Sequence, residues 1–189
     1  MLTPAANTRE KLMRAAMDIV AADGFPAATT ASIAERVGMA EGTLYRHFKS
    51  KDDLLIETYR RLKAEVFEAI QARTQAAAGL QGRFRALWLG MYATYAADMQ
   101  AFAFGQRFGE SALSKTEGGT AHERLMGHVK QLIGDGQAEG LIKPAPAEIL
   151  SAFFFPPLVS MLKQGAQGRE WSQAEIELAI DSAWASWSV

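Results

Sequence analysis

"TTASIAERVGMAEGTLYRHFKSK", residues 29–51, decides the fold. Thr29 is a good N-cap for a short helix whose inner face is Ile33, Ala34 and Val37, and Gly38 supplies the left-handed residue that stops it. Three residues later a second short amphipathic run begins. Leu44 and Phe48 lie four apart and share one helical face, while Thr43, Tyr45, Arg46 and His47 look outward. Two short helices joined by a tight glycine-containing turn form a helix-turn-helix, expected over about 29–48, whose second helix can enter a DNA major groove.

Outward from this stretch the periodicity stays helical. "NTREKLMRAAMDIVAADGF" reads as a first helix, with Asn7 and Glu10 at capping-box spacing, Leu12, Ala15, Ala16, Ile19 and Val20 on one stripe and Gly24 at its end. Ser50 and Asp53 cap a longer fourth helix with the stripe Leu55, Tyr59, Leu62, Val66 and Ile70. After "AAAGLQG" the composition turns aromatic and methionine-rich. Further helices are expected at "RFRALWLGMYATYAADM", "QAFAFGQRFGESAL", "HERLMGHVKQLIGDGQAEG", "PAEILSAFFFPPLVSMLKQG" and "WSQAEIELAIDSAWASWSV", with "SKTEGGT" a polar loop. No segment alternates with strand period, so the expected fold is all-α with about nine helices. Pro156 and Pro157 each remove a helix N–H and should kink the eighth helix, freeing carbonyls near Ala152 and Phe153.

Composition narrows the function classes. The chain has 189 residues, 49% of them apolar, and no cysteine, which removes disulfides, thiol catalysis and cysteine-ligated zinc. The most apolar segment, residues 149–162, is shorter than the ~18 residues a membrane span needs and holds two prolines. With no signal-peptide pattern at the N-terminus, a cytoplasmic protein without a membrane partner is expected. The net charge is −1. Residues 1–63 hold ten Lys/Arg against eight Asp/Glu, so DNA binding must come from local placement of positive groups rather than bulk charge. No His-Glu-x-x-His, nucleophile elbow or phosphate loop is present, and His122 and His128, six apart, fall on different helix faces. No catalytic residue, metal or cofactor is therefore expected.

At "ASIAERVGMAEGTLYRHFKSKDDLL" the chain resembles the TetR family of bacterial transcriptional regulators. The likeness runs from about Asn7 to Leu62 and rests on Gly42-Thr43-Leu44-Tyr45, His47-Phe48 and Lys51 at fixed spacing. "GQAEGLIKPAPAEIL" is similar to the family's link into its dimerisation helices. The resemblance implies a DNA-binding domain over residues 6–66 and a ligand-binding and dimerisation domain over 67–189. Thr29, Tyr45, His47 and Lys51 would then meet phosphates, which position the protein without reading sequence. Ala40, Glu41, Gly42 and Thr43 would face base edges, and Arg46 suits either a guanine or a phosphate. Two departures stand out. Ala40 replaces a serine that often caps the recognition helix, and Ser32 replaces an acidic residue, which should leave the second helix's capping box incomplete.

The resemblance also implies partners: palindromic double-stranded DNA, a second copy of the chain, and a small-molecule effector that releases a repressor from its operator. Ile176, Ile180, Ala183, Trp184 and Trp187 form a stripe on the last helix, expected either as a dimer interface or as packing on the chain's own core. Trp88, Met91, Tyr92, Tyr95, Phe102, Phe108, Met126 and Phe154 would line an apolar ligand pocket, with Arg107, His122 and Gln106 as polar anchors. The alternative is a DNA-binding regulator whose C-terminal domain serves only dimerisation or protein interaction.

Overall fold

Backbone is described for residues 4–116 and 120–189 of this computed structural model, and side chains for these apart from 4–6, 116, 120–122, 124 and 125. Among the described residues the chain is all-α. Ten α-helices and two 3₁₀ segments account for its regular structure, and the only extended pairing is an isolated antiparallel bridge between Ile142 and Ser188. The chain divides into two compact units, Met1–Ala64 with Gln100–Thr120, and Glu65–Met99 with Ala121–Val189.

The first unit opens with α1 (Pro4–Asp23). Proline suits a first turn because its missing N–H would lack a partner there anyway. Asn7 therefore lies inside the helix rather than capping it. Gly24 ends α1 at φ +85°, after which a 3₁₀ turn (Phe25–Ala27) leads to α2 (Thr30–Arg36). The next segment, Glu41–Arg46, is built of 3₁₀ turns, and α3 (Lys51–Gln75) follows it. Leu12, Ala16, Val20, Ile33, Leu44, Phe48, Leu55 and Tyr59 are buried together as the core of this unit. α5 (Met99–Glu110) and the short α6 (Leu113–Thr116) also belong here, so residues 100–120 depart from the expected division at residue 66. The reason lies in α5's side chains. The Phe108 ring stacks on Tyr59 at 4.2 Å, and Arg107 donates to the carbonyls of Val20 at 3.0 Å and Ala22 at 3.5 Å. The guanidinium adds a second donor to the Val20 carbonyl, which also accepts from the Gly24 N–H at 3.0 Å, and reaches the Ala22 carbonyl in the last turn of α1.

The second unit holds the rest of α3 with α4 (Gly79–Ala97), α7 (Thr120–Ala138), α8 (Ala147–Ser151), α9 (Phe155–Ala166) and α10 (Gln173–Trp187). Its core centres on Phe84, whose ring meets Trp187 at 4.8 Å, Phe154 at 5.2 Å and Trp184 at 5.3 Å, all edge-on. Gly136 permits a close approach that no side chain would, since a Cβ there would stand 2.5 Å from both Ile142 and Leu80.

Two expectations are corrected here. "FFFPP" does not kink one helix. α8 ends at Ser151, a turn follows, and α9 restarts with Pro156 and Pro157 in its first turn, where absent N–H groups cost nothing. The Leu150 carbonyl exposed by this break accepts the Trp187 indole N–H at 2.7 Å. The second correction concerns the stripe on α10. Ile176, Ile180, Ala183 and Trp187 are buried within the chain itself and Trp184 is half-buried. That face packs inward, so Ile176, Ile180, Ala183 and Trp187 are not available to a partner. A helical stripe shows that a face is buried without showing against what.

Candidate nucleic-acid interface

The recognition segment is held from three sides by local chemistry. At the start of α2, Thr29 Oγ1 accepts from the Ser32 N–H and Ser32 Oγ accepts from the Thr29 N–H, both at 3.0 Å. The box expected to be incomplete is therefore closed. A serine at the third position makes the same reciprocal bonds as a longer acid because its Oγ already lies beside the cap, where it also donates to the Ala27 carbonyl at 2.7 Å. In the turn, Gly38 adopts φ +68°, and the N–H groups of Gly38 and Met39 donate to Glu35 and Ala34 carbonyls, each at 2.9 Å. This is the helix-ending pattern that a left-handed residue allows.

Ala40 offers no side-chain cap to the segment that follows. The segment closes instead with i→i+3 bonds, Thr43 N–H to Ala40 O at 2.9 Å and His47 N–H to Leu44 O at 3.0 Å. A six-residue run that contains Gly42 and lacks a cap has little α-helical preference, and 3₁₀ turns satisfy its donors over fewer residues. Leu44 and Phe48 are buried and act as its anchors, while Glu41, Gly42, Tyr45 and Arg46 are exposed and Thr43 and His47 half-buried. Tyr45 is 56% exposed, an unusual place for so large a ring without a partner to cover it. The Thr30 hydroxyl donates to the Glu41 carboxylate and ties the segment back to α2.

α3 begins beside it under a second cap. Ser50 Oγ accepts from the Asp53 N–H at 3.0 Å and the Asp53 carboxylate accepts from the Lys49 N–H at 2.9 Å. Lys51 is the first residue of α3 and half-buried. Arg9 braces the assembly from α1, paired with Glu57 at 3.1 Å and lying 4.8 Å over the Phe48 ring. The region thus presents hydroxyl, imidazole, guanidinium and ammonium groups on a rigid, helically capped frame.

These features match known proteins along nearly the whole chain. A family model described as "Bacterial regulatory proteins, tetR family" matches residues 12–58, and one described as "Tetracyclin repressor-like, C-terminal domain" matches residues 79–188. The chain belongs to the TetR family. Its relatives are named as transcription regulators. This TetR-family chain is 26% identical to a TetR family transcription regulator from Marinobacter aquaeolei VT8, with a TM-score of 0.83 over 95% of each chain. It is 39% identical over 70 residues to the HTH-type transcriptional repressor KstR of Mycolicibacterium smegmatis, a match covering 37% of this chain and 32% of that protein. The chain matches only about a third of the length of the first curated relatives. A transcriptional regulator FadR from Bacillus subtilis, solved in complex with stearoyl-CoA, shares the fold at a TM-score of 0.80 and 15% identity, over 94% of this chain and 98% of that one. No helix among the described residues is long and apolar enough to cross a membrane.

The residues expected around a ligand are placed differently from one another. Phe102, Gln106, Arg107 and Phe108 stand on α5 in the first unit, and Trp88, Met91, Tyr92, Tyr95, Met126 and Phe154 in the second. Arg107 is engaged by the carbonyls of α1, and Phe102, Phe108 and Phe154 are buried in the cores of their units. Trp88 is fully buried with its indole N–H unpaired among the described residues, and its ring stacks on Tyr92 at 5.6 Å. Burial pushes the Tyr92 phenol above its usual range. His122 lies outside the described side chains. A cleft of about 170 Å³ in the second unit has other walls: Thr74 and Gln75 of α3, Arg83 and Leu87 of α4, and His128, Gln131, Leu132 and Asp135 of α7. Sequence reasoning missed both this cleft and the Arg107 cap. Their partners lie 52 and 87 residues apart, beyond the reach of any local periodicity.

Proposed function

We propose that the chain works as a homodimeric repressor that holds a palindromic operator and is released by a small, largely apolar effector. One observation carries this reading. α3 is a single 25-residue helix that follows the recognition segment and runs on past Ala64 into the second unit, so the chain passes from one unit to the other as helix rather than as loop.

In this reading Thr29, Tyr45, His47 and Lys51 contact phosphates. Gly42 and Ala40 allow close approach to base edges, and the Thr43 methyl suits a thymine. Glu41 reads a cytosine amino group through the carboxylate oxygen that Thr30 leaves open, and Arg46 extends to a phosphate or guanine at the segment's end. The dimer interface moves to the outward faces of α9 and α10. There Leu178, 66% exposed, is followed at helical spacing by the exposed Ser182 and Ala185. Two recognition segments must then stand about 34–36 Å apart to meet successive major grooves. The Bacillus protein of the same fold, captured with stearoyl-CoA, supports a second unit that takes a ligand.

Fluorescence anisotropy with the DNA flanking the chain's own coding region tests the reading. Affinity should fall with a slope of about −0.9 in log–log salt dependence for each phosphate neutralised. The combined Tyr45→Phe, His47→Ala, Lys51→Ala variant should weaken binding and flatten that slope. Unchanged affinity and slope would remove the contact assignment. Sedimentation that stays monomeric at micromolar concentration would remove the dimer, and Leu178→Asp should shift a dimer toward monomer.

A further inference from the structure

We propose that the cleft between α3, α4 and α7 is the effector site and that it takes a small carboxylic acid with an apolar body. This rests on the effector-released reading and names the ligand class for it. The walls are unequal in chemistry. Leu87 and Leu132 supply an apolar surface, whereas Arg83, His128, Gln75 and Gln131 bring hydrogen-bond donors to the same small space. The single opposing charge is Asp135, whose carboxylate already accepts from Arg83 at 3.0 Å. Both members of that pair are about one-third exposed, so the contact is open to competition from solution.

Asp135 occupies the place on the Arg83 guanidinium that a ligand carboxylate takes. Arginine presents a planar fork to carboxylates, and the displaced Asp135 carboxylate, 38% exposed, turns to solvent where its charge is screened. His128 is steered by an edge-on contact with Phe67, ring centres 4.9 Å apart, which leaves the imidazole aligned with the cleft wall. The carboxyl end of α3 would by itself repel an anion, and local hydroxyl and N–H donors offset part of that field. The Thr74 hydroxyl donates to Ile70 at 3.0 Å and Gln71 at 3.2 Å, and the Ala77 N–H donates to Thr74 at 3.2 Å. A volume of about 170 Å³ admits a body of benzoate or short acyl size and no more.

Occupation has a built-in consequence. The Arg83–Asp135 pair ties α4 to α7, and α4 presses on the last turns of α3, where a Cβ on Gly90 would stand 3.3 Å from the Ile70 side chain. A carboxylate that takes Arg83 from Asp135 therefore unties α7 from α4 beside the end of the helix that runs to the recognition segment.

The test uses the full-length protein with benzoate and hexanoate, and with benzamide and hexanamide as uncharged partners of the same shape. Binding is read from the His128 imidazole resonances and from thermal midpoint. The acids should perturb both, the amides neither. Arg83→Gln should weaken the acids about tenfold or more, and Asp135→Asn, which removes the internal competitor, should tighten them. A merely structural pair cannot give that opposite pair of effects. No response to either acid at tens of millimolar, equal responses to acids and amides, or weaker binding in Asp135→Asn would each overturn the site. Operator release by a compound indifferent to Arg83 would also overturn it while keeping the effector reading. Acid binding at Arg83 that leaves operator affinity unchanged would uphold the site and remove that reading.

Discussion

The two units use their aromatic and polar side chains in opposite ways. In the first, only Leu44 and Phe48 of the recognition segment are buried, and Thr43 before them and Tyr45, Arg46 and His47 between them stay at least partly exposed on a frame closed by local caps. In the second, the rings at the centre turn inward, while Phe153 is half exposed and Trp184 half-buried. Phe84, Trp88, Phe154 and Trp187 are fully buried, and the polar cleft lies away from them. Exposed donors on a short, capped segment carry information about function. Buried rings at helical spacing mainly report that a core exists, which is why aromatic richness alone did not locate a ligand site.

The largest effect should come from breaking the second unit's core. Trp187→Ala removes a buried ring packed on Phe84 and Phe154 together with a hydrogen bond, and should cost about 3–5 kcal/mol in chemical denaturation. Comparing Trp187→Phe with Trp88→Phe sharpens the point. Both rings are fully buried, but Trp187 donates to Leu150 at 2.7 Å whereas the Trp88 N–H is unpaired among the described residues. Trp187→Phe removes the side-chain donor to the Leu150 carbonyl, leaving it the Phe153 N–H at 3.0 Å, and should cost about 1 kcal/mol more than Trp88→Phe. Equal losses would mean that the bond at Leu150 contributes nothing net.

Within the first unit, Arg107→Met keeps most of the apolar stem and removes the donors to Val20 and Ala22. The end of α1 should loosen, with about 1–2 kcal/mol lost and faster amide exchange over residues 20–25. If exchange there is unchanged, α5 is held to this unit by the Phe108–Tyr59 stack alone. Ser32→Ala comes next in size. It opens the box at Thr29 and should cost about 1 kcal/mol, with a loss of DNA affinity only as large as the fraying of α2's first turn explains.

Such differences show which parts of the molecule sequence can reveal. The all-α class, the stops at Gly24 and Gly38, the caps at Thr29 and Ser50 and the stripe through Ile70 are local features, set by residues three or four apart, and the structure carries each of them. The 3₁₀ form of residues 41–46 was less legible because Leu44 and Phe48 fit either helix type. Position relative to other elements left no local trace. The inward turn of the α10 stripe, the placement of α5 in the first unit and the Arg83–Asp135 pair all depend on partners far along the chain. The polar character of Tyr45, His47 and Lys51 is similarly local, and the structure leaves Tyr45 exposed and the other two half-buried.

The smallest effect is an acid-sensitive one confined to α10. Bonds from the Ser172 N–H and hydroxyl hold the Glu175 carboxyl below its usual range, and the Arg85 guanidinium does the same for Glu177. Both carboxylates are thus easier to ionise in the folded chain than in the unfolded one. Their contribution to stability is fully present above the ordinary glutamate range and is lost as pH falls through the depressed folded values. Because both groups face solvent, the loss should be slight, and the Arg85 share should shrink further as salt is added. Glu175→Gln retains an oxygen that can close the box with Ser172 but no longer titrates. The protection factor of the Ile176 amide, taken against the intrinsic rate at each pH, should therefore fall in the parent chain as pH drops and stay flatter in the variant. A matching fall in both would assign the acid response to Glu177 and its tie to α4, leaving the cap of α10 insensitive to pH.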